Sequence, residues 1–292
     1  MQSIKQVFTS FHNALDDLYG PTESEAIAML TIGELTGYSR AKIKAFPDDN
    51  VPADVEERLP KILGELKTGK PVQYILGSTE FYGISFLVNP SVLIPRPETE
   101  ELVEWILETC RKPPQSPTSI HLLDIGTGSG CIAVSLKNNL VNAAVSAIDI
   151  STEALKTAER NAVMNNAEIN FINADVLDTS VTSQLDTFDV IASNPPYVTP
   201  ADKALMHTNV NNFEPHTALF VPQDDPLLFY RAIADIAAEK LNPGGYLFFE
   251  INESYGKETV KLLNTKQFTD IQLRQDMSLR DRMIRATAPL KA

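Results

Sequence analysis

The sequence predicts an α/β fold, a mostly parallel seven-stranded sheet with helices on both faces, preceded by a small helical domain and a β-hairpin linker. Three observations predict it. From Ser119 onward apolar strand patterns alternate with helical ones, which sets strands parallel beneath crossover helices. Three glycines, Gly126, Gly128 and Gly130, fall where the first of these strands gives way to a helix. Before about residue 75 the apolar spacing is helical.

Residues 1–75 are expected to form the helical domain. Val7, Phe8, Phe11, Leu15 and Leu18 recur at helical spacing, and Gly20-Pro21 ends that segment. Thr22-Glu-Ser-Glu25 fits a capping box for the next helix, and Pro52 with the acids after it starts another. This module carries no catalytic constellation; it suits holding a macromolecular substrate or stabilising the domain that follows. Residues 76–112 are the linker and first helix. The stretch 79–95, with β-branched and aromatic residues around Gly83 and Asn89-Pro90, reads as a hairpin, and Arg96-Pro-Glu-Thr-Glu-Glu101 opens a helix to about Cys110. Lys112–Thr118 reads as a loop.

Residues 113–292 carry the sheet. Strands are predicted at 121–125, 144–148, 171–173 and 190–193, with Ser151 as N-cap of the helix after the second. A helix begins at Asp225-Pro226 and runs to Leu241, Pro243-Gly-Gly245 turns, and 246–251 is a strand. Extended pieces near 271–273 and 283–286 close the sheet as an antiparallel edge. No internal repeat is visible.

Composition narrows the function classes. The chain has 292 residues, 43% hydrophobic and 22% charged, ordinary for a soluble globular protein. No apolar run reaches membrane-spanning length, and Met1–Val7 lacks a basic stretch followed by an apolar one, so a cytoplasmic protein without membrane contact is expected. A net charge of −13 disfavours partners bound mainly through phosphates, so no direct nucleic-acid partner is expected. Cys110 and Cys131 are the only cysteines, and His12, His121, His207 and His216 are scattered, which predicts neither disulfide nor structural metal. Cys131, at the helix start after the glycines, reads as a small packed residue.

Two segments carry chemistry. In Asp124-Ile-Gly126-Thr127-Gly128-Ser129-Gly130 the glycines permit a sharp turn and close approach of a ligand. The third glycine stands at the fifth position and Cys131 at the sixth, which is not the dinucleotide spacing, and no Gly-Lys-Ser/Thr follows for a P-loop. Asp149 ends the second strand, where an acid can accept both hydroxyls of a ribose; Asp175 ends the third and can accept from an adenine amino group. Such an acid-rich crevice suits a nucleoside cofactor without phosphates, and S-adenosylmethionine is one, with an ammonium that Asp124 can help hold. Each acid can instead serve only to cap a helix or turn. The second segment is Asn194-Pro195-Pro196-Tyr197, at the end of the fourth strand. The Asn194 side-chain oxygen and the Pro195 carbonyl offer two acceptors at fixed separation, the need of a planar NH2 group, and the face of Tyr197 can stack on its carrier.

These motifs resemble the class I (Rossmann-like) methyltransferases and, within them, the HemK/PrmC family of release factor glutamine methyltransferases. The likeness covers nearly the whole chain. It includes Pro71-Val-Gln-Tyr-Ile-Leu-Gly77, Glu80-Phe81, Val92-Leu-Ile-Pro-Arg-Pro-Glu-Thr-Glu100, Glu214-Pro215, Ala218-Leu-Phe220 and Leu241-Asn-Pro-Gly-Gly245. Asn-Pro-Pro-Tyr alone is shared with base-amino methyltransferases; the Ile-Pro-Arg-Pro-Glu-Thr-Glu run is more specific. The resemblance implies methyl transfer from S-adenosylmethionine to the side-chain amide nitrogen of the glutamine in the Gly-Gly-Gln motif of class I peptide chain release factors. It implies cofactor binding by Gly126–Gly130 and Asp149, and a substrate clamp of Asn194, Pro195, Pro196 and Tyr197. Val176 stands where the family often has tryptophan against the adenine, and Val221–Pro226 replaces a glycine-rich stretch. Arg96 and Glu98 would border the site, although helix-start chemistry alone accounts for Pro97, Glu98 and Glu100. The rival readings are a base-amino methyltransferase and a non-catalytic adaptor of the same fold.

Overall fold

The computed structural model describes residues 1–111, 119–204, 206 and 208–289. The chain divides into two compact units, and the short helix Thr208–Phe213 clusters with the N-terminal one, Met1–Ser78.

The N-terminal unit is built from the helices Ile4–Tyr19, Pro21–Thr36, Arg40–Ala45, Ala53–Leu66 and Val72–Leu76. Ile4, Val7, Phe11 and Leu15 form one stripe of the first helix and pack with Ile27, Ala28 and Ile32 of the second and Val55, Leu59, Ile62 and Leu66 of the fourth. Ser3 and Gln6 close a reciprocal capping box at the start. The capping box expected at Thr22–Glu25 does not form. The second helix starts at Pro21, whose ring presets φ, and Gly20 at φ 80° serves both helices: its N–H donates to Asp16 O at 2.9 Å and its carbonyl accepts from Ser24 N at 3.0 Å.

The linker hairpin pairs β1 (Ser78–Phe81) with β2 (Ile84–Leu87) across Tyr82-Gly83, both at positive φ (49° and 75°), which suits a tight two-residue turn. It is shorter than the sequence predicts. Residues 88–96 run irregularly, since Pro90 and Pro95 remove ladder donors and Asn89 Oδ1 instead accepts from Ser91 N at 2.8 Å. Asn161, fully buried, fastens this segment: Oδ1 accepts from Leu87 N at 2.7 Å, and Nδ2 donates to Leu87 O at 3.0 Å and Ser129 O at 2.8 Å.

The sheet comprises β3 (His121–Ile125), β4 (Ala144–Asp149), β5 (Ile169–Asn173), β6 (Phe188–Ser193), β7 (Leu241–Glu250), β8 (Thr269–Gln275) and β9 (Asp281–Thr287), in the order β5-β4-β3-β6-β7-β9-β8. β3 to β7 pair in parallel, and β9 lies antiparallel between β7 and β8. Alternate strand residues feed two cores: Leu122, Val190 and Phe248 belong to one, Leu123, Ile191 and Phe249 to the other. Burial on both faces explains the near-continuous apolar runs. β7 starts earlier than expected. Phe188 pairs with Leu241 but Val190 with Tyr246, so Asn242–Gly245 bulges within the strand rather than preceding it. Gly245 is required there because a Cβ would lie 2.9 Å from Asp189 O. The helix expected from Asp225 begins at Leu228, after a turn closed by Leu228 N donating to Asp225 O at 3.3 Å.

The order of strands reverses beside β3, with β4 and β5 on one side and β6 on the other. The carboxyl ends of β3 and β6 therefore flank the crevice at the switch point.

Candidate active site

A cavity of about 360 Å³ opens at that crevice, within the range of small-molecule sites. One end is made by the loop after β3. Gly126, Gly128 and Gly130 all take left-handed φ, 73°, 55° and 81°. A Cβ on Gly126 or Gly128 would meet nothing within 4 Å, so these two leave space on the cavity side, whereas one on Gly130 would lie 3.1 Å from Ala158 Cβ, where the following helix packs closely. Backbone bonds lock the loop: Gly126 N and Thr127 N donate to Ile148 O at 2.8 and 3.0 Å, and Gly130 N to Thr127 O at 2.8 Å.

Asp149 braces the same loop. Its Oδ2 accepts from Gly128 N and its Oδ1 from Ser151 N, both at 2.8 Å, and Ser151 caps the next helix as the sequence predicts. Burial raises its pKa and these backbone donors oppose the rise. Each oxygen retains a lone pair for a further donor. Asp175 and Val176 line the cavity beside Ile150 and Leu177; Asp175 Oδ1 accepts from Leu177 N at 2.9 Å. Asp124 lies beneath the loop, wholly buried and outside the cavity lining. Its Oδ2 accepts from Thr127 Oγ1 at 2.6 Å, Oδ1 has no partner in the protein, and burial pushes its pKa up to about 7. Thr127 and Ser129 line the cavity; Gly130 does not. Cys131 is buried and unpaired, its thiol pushed up to about 12 by burial.

The other end is the turn after β6, where Asn194, Pro195 and Pro196 line the cavity. Ser193 Oγ ties the strand end to Ile125 O at 2.7 Å. Beyond the prolines, Tyr197 N and Val198 N donate to Leu219 O at 3.2 and 2.8 Å, and Asn252 Nδ2 donates to Tyr197 O at 3.1 Å. Tyr197 is packed against the core and is not among the cavity-lining side chains; its hydroxyl donates to Glu250 Oε1 at 3.0 Å.

Sequence reasoning missed what stands behind this turn. Asn194 Nδ2 donates to Thr99 Oγ1 at 3.2 Å, and Thr99 Oγ1 donates to Glu250 Oε2 at 2.7 Å. Glu250 is 1% exposed; burial raises its pKa, while Thr99, Tyr197 and the Arg282 charge pull it back. Burial and the nearby Glu250 charge raise the Tyr197 pKa well above the usual phenol value. The signal for Glu250 was an acid ending the apolar run Tyr246–Phe249; Thr99 was hidden by its place in a helix start. Arg96 and Glu214, near the cavity wall, form a 2.5 Å ion pair whose carboxylate is buried and also accepts from Ile94 N at 3.3 Å.

A doubly wound sheet with a glycine loop after β3, an acid ending β4 and an Asn-Pro-Pro-Tyr turn after β6 has the architecture of the α/β methyltransferases of the S-adenosylmethionine-dependent class. Residues 104–214 match the family profile described as methyltransferase small domain, and residues 7–77 match the PrmC N-terminal domain. The release factor glutamine methyltransferase of Flavobacterium psychrophilum is 46% identical over 97% of this chain and 98% of its own length. That of Bacteroides thetaiotaomicron is 41% identical over 97% and 99%. Among solved structures, a methyltransferase from Pyrococcus furiosus shares the fold at 17% identity and TM-score 0.51, covering 80% of this chain and 100% of that one. The chain belongs to the HemK/PrmC family of release factor glutamine methyltransferases.

Proposed function

We propose that this protein transfers a methyl group from S-adenosylmethionine to the side-chain amide nitrogen (N5) of the glutamine in the Gly-Gly-Gln motif of class I peptide chain release factors. The observation that carries the reading is Asn194: it lines the cavity and anchors its NH2 side on Thr99 through one N–H, which turns Oδ1 to the opposite side as an acceptor. An amide lone pair is delocalised into its carbonyl, which makes the nitrogen a poor nucleophile. Asn194 Oδ1 and the Pro195 carbonyl take the two N–H bonds and hold the lone pair in line, while Tyr197 supports the clamp.

The residues at the other end fit S-adenosylmethionine. The side of Gly126 and Gly128 that a Cβ would fill is open, Asp149 has lone pairs for the ribose hydroxyls, and Asp175 with the apolar Val176 suits a purine. Thr127, Ser129 and Gly130 shape the loop, and Asp124, buried beneath it and outside the cavity lining, acts on the cofactor's amino-acid end only through Thr127, whose hydroxyl it holds. When bound, the cofactor supplies an electrophilic sulfonium methyl. The proton leaves nitrogen after transfer, when it has become strongly acidic, so the site needs no dedicated base.

The helical N-terminal unit is assigned to docking the release factor, and the enzyme to the cytoplasm; no helix among the described residues is long and apolar enough to cross a membrane. The test is transfer of labelled methyl to a purified class I release factor, beside one with alanine for the motif glutamine and a nucleic acid. Label on the unmodified factor alone is expected. Label on nucleic acid instead would move the assignment to a base-amino methyltransferase.

A further inference from the structure

Thr99 lines the cavity beside Asn194, Glu250 stands behind it outside the lining, and the three form a one-way chain of hydrogen bonds. A carboxylate only accepts. The Thr99 hydroxyl owns a single proton, and that proton goes to Glu250 Oε2 at 2.7 Å. The Thr99 oxygen can then only accept from its next neighbour, and what reaches it at 3.2 Å is an N–H of Asn194. The NH2 and oxygen of an amide lie on opposite sides of its carbon, so anchoring one aims the other. Both Glu250 oxygens are occupied as acceptors, Oε2 by Thr99 and Oε1 by the Tyr197 hydroxyl at 3.0 Å; burial raises the Glu250 pKa, and these two bonds and the charge of Arg282 oppose the rise. Arg282 is itself fixed, donating to Asp276 Oδ2 at 3.1 Å and Ile251 O at 3.2 Å.

We propose that Glu250 and Thr99 are positioning residues that fix the flip state of Asn194, and that this polarity is what makes the site accept an amide and reject the isosteric carboxylate. The proposal rests on the glutamine reading of the site. A glutamine NH2 meets an acceptor at Asn194; a glutamate oxygen at the same place meets another oxygen and gains nothing from the turn. Were Asn194 flipped, its NH2 would repel the substrate amide and welcome the carboxylate. Only a donor-free partner behind Thr99 prevents that flip.

The test compares the wild-type enzyme with Glu250→Gln, Thr99→Val and Thr99→Ser. The readouts are methyl transfer to a class I release factor, cofactor affinity by calorimetry, and inhibition by the same factor carrying glutamate for the motif glutamine. In Glu250→Gln the new NH2 can donate to Thr99, freeing the Thr99 proton to reach Asn194 Oδ1. It is expected to lose about 100-fold in kcat, to bind cofactor within about threefold of wild type, and to be inhibited by the glutamate factor about tenfold more strongly. Thr99→Val is expected to lose kcat similarly, with Thr99→Ser restoring it and thermal melting separating misfolding from misorientation. If Glu250→Gln keeps both turnover and amide-over-carboxylate discrimination, or Thr99→Ser is as impaired as a folded Thr99→Val, the proposal is overturned while the glutamine reading stands. A wild-type enzyme that fails to label the release factor overturns both.

Discussion

The two ends of the cavity are built by opposite means. The end at the glycine loop is backbone: within Gly126–Ser151 the loop's N–H groups, the Ile148 carbonyl and the Asp149 carboxylate satisfy one another, and all come from one strand-loop-helix-strand unit. The end at the turn after β6 is side chain: Asn194, Thr99, Glu250, Tyr197 and Asn252 converge from that turn, the linker helix, β7 and the segment after it. A backbone cradle tolerates exchange of side chains but not of glycine. A side-chain relay tolerates changes in backbone but not in the direction of a hydrogen bond. Binding and chemistry should therefore be separable by mutation.

The sharpest way to break that separation is Asn194→Ala. Its turnover is expected to fall about 10²–10³-fold, as for loss of one preorganised polar group, with cofactor affinity by calorimetry near wild type. Equal losses in both would show that the two ends are one site. Gly130→Ala should act on stability, since left-handed φ and the 3.1 Å approach to Ala158 combine. A loss of about 2–4 kcal/mol in chemical denaturation is expected, and an unchanged midpoint would mean the helix yields easily. Asp149→Ala should weaken cofactor binding by about 10–100-fold, the worth of one or two charge-assisted bonds, while turnover at saturating cofactor falls less; the reverse pattern would assign Asp149 to chemistry.

The smallest effect concerns Asp124. Its folded-state pKa, about 7, lies above the ordinary 3.8, so the native state holds the extra proton between those values. The corresponding stability is fully present below 3.8 and is lost as pH rises through 7. Between pH 6 and 8 the loss comes to about 1.4 kcal/mol. Denaturation of wild type and Asp124→Asn across that window should show the wild type alone losing this amount. Parallel curves would mean that the carboxyl is already ionised at pH 6.

The same contrast explains what could be read from the chain. The glycine loop and Asn194–Tyr197 are legible because each is a contiguous run at the end of an apolar strand. The relay is not, because Thr99 and Glu250 stand 151 positions apart and meet only when the linker helix packs on β7. The strands were legible from apolar runs, but Pro243-Gly-Gly245 reads locally as a turn and only the Phe188–Leu241 pairing makes it a bulge. Thr22 had the right neighbours for a cap; Gly20-Pro21 had already started that helix. Tyr197 looks from the sequence like a stacking ring, and its hydroxyl bond to Glu250 involves a residue no local pattern connects to it.

Asn161 gives the linker and the cofactor loop a common fate. Its amide bonds both backbone polar groups of Leu87, as a neighbouring strand would, and with its remaining hydrogen takes the Ser129 carbonyl. One side chain thus stands in for a missing strand and couples the free edge of the hairpin to the cofactor loop. In amide hydrogen exchange the Leu87 N–H should accordingly slow when cofactor fills the loop, although Leu87 does not line the cavity.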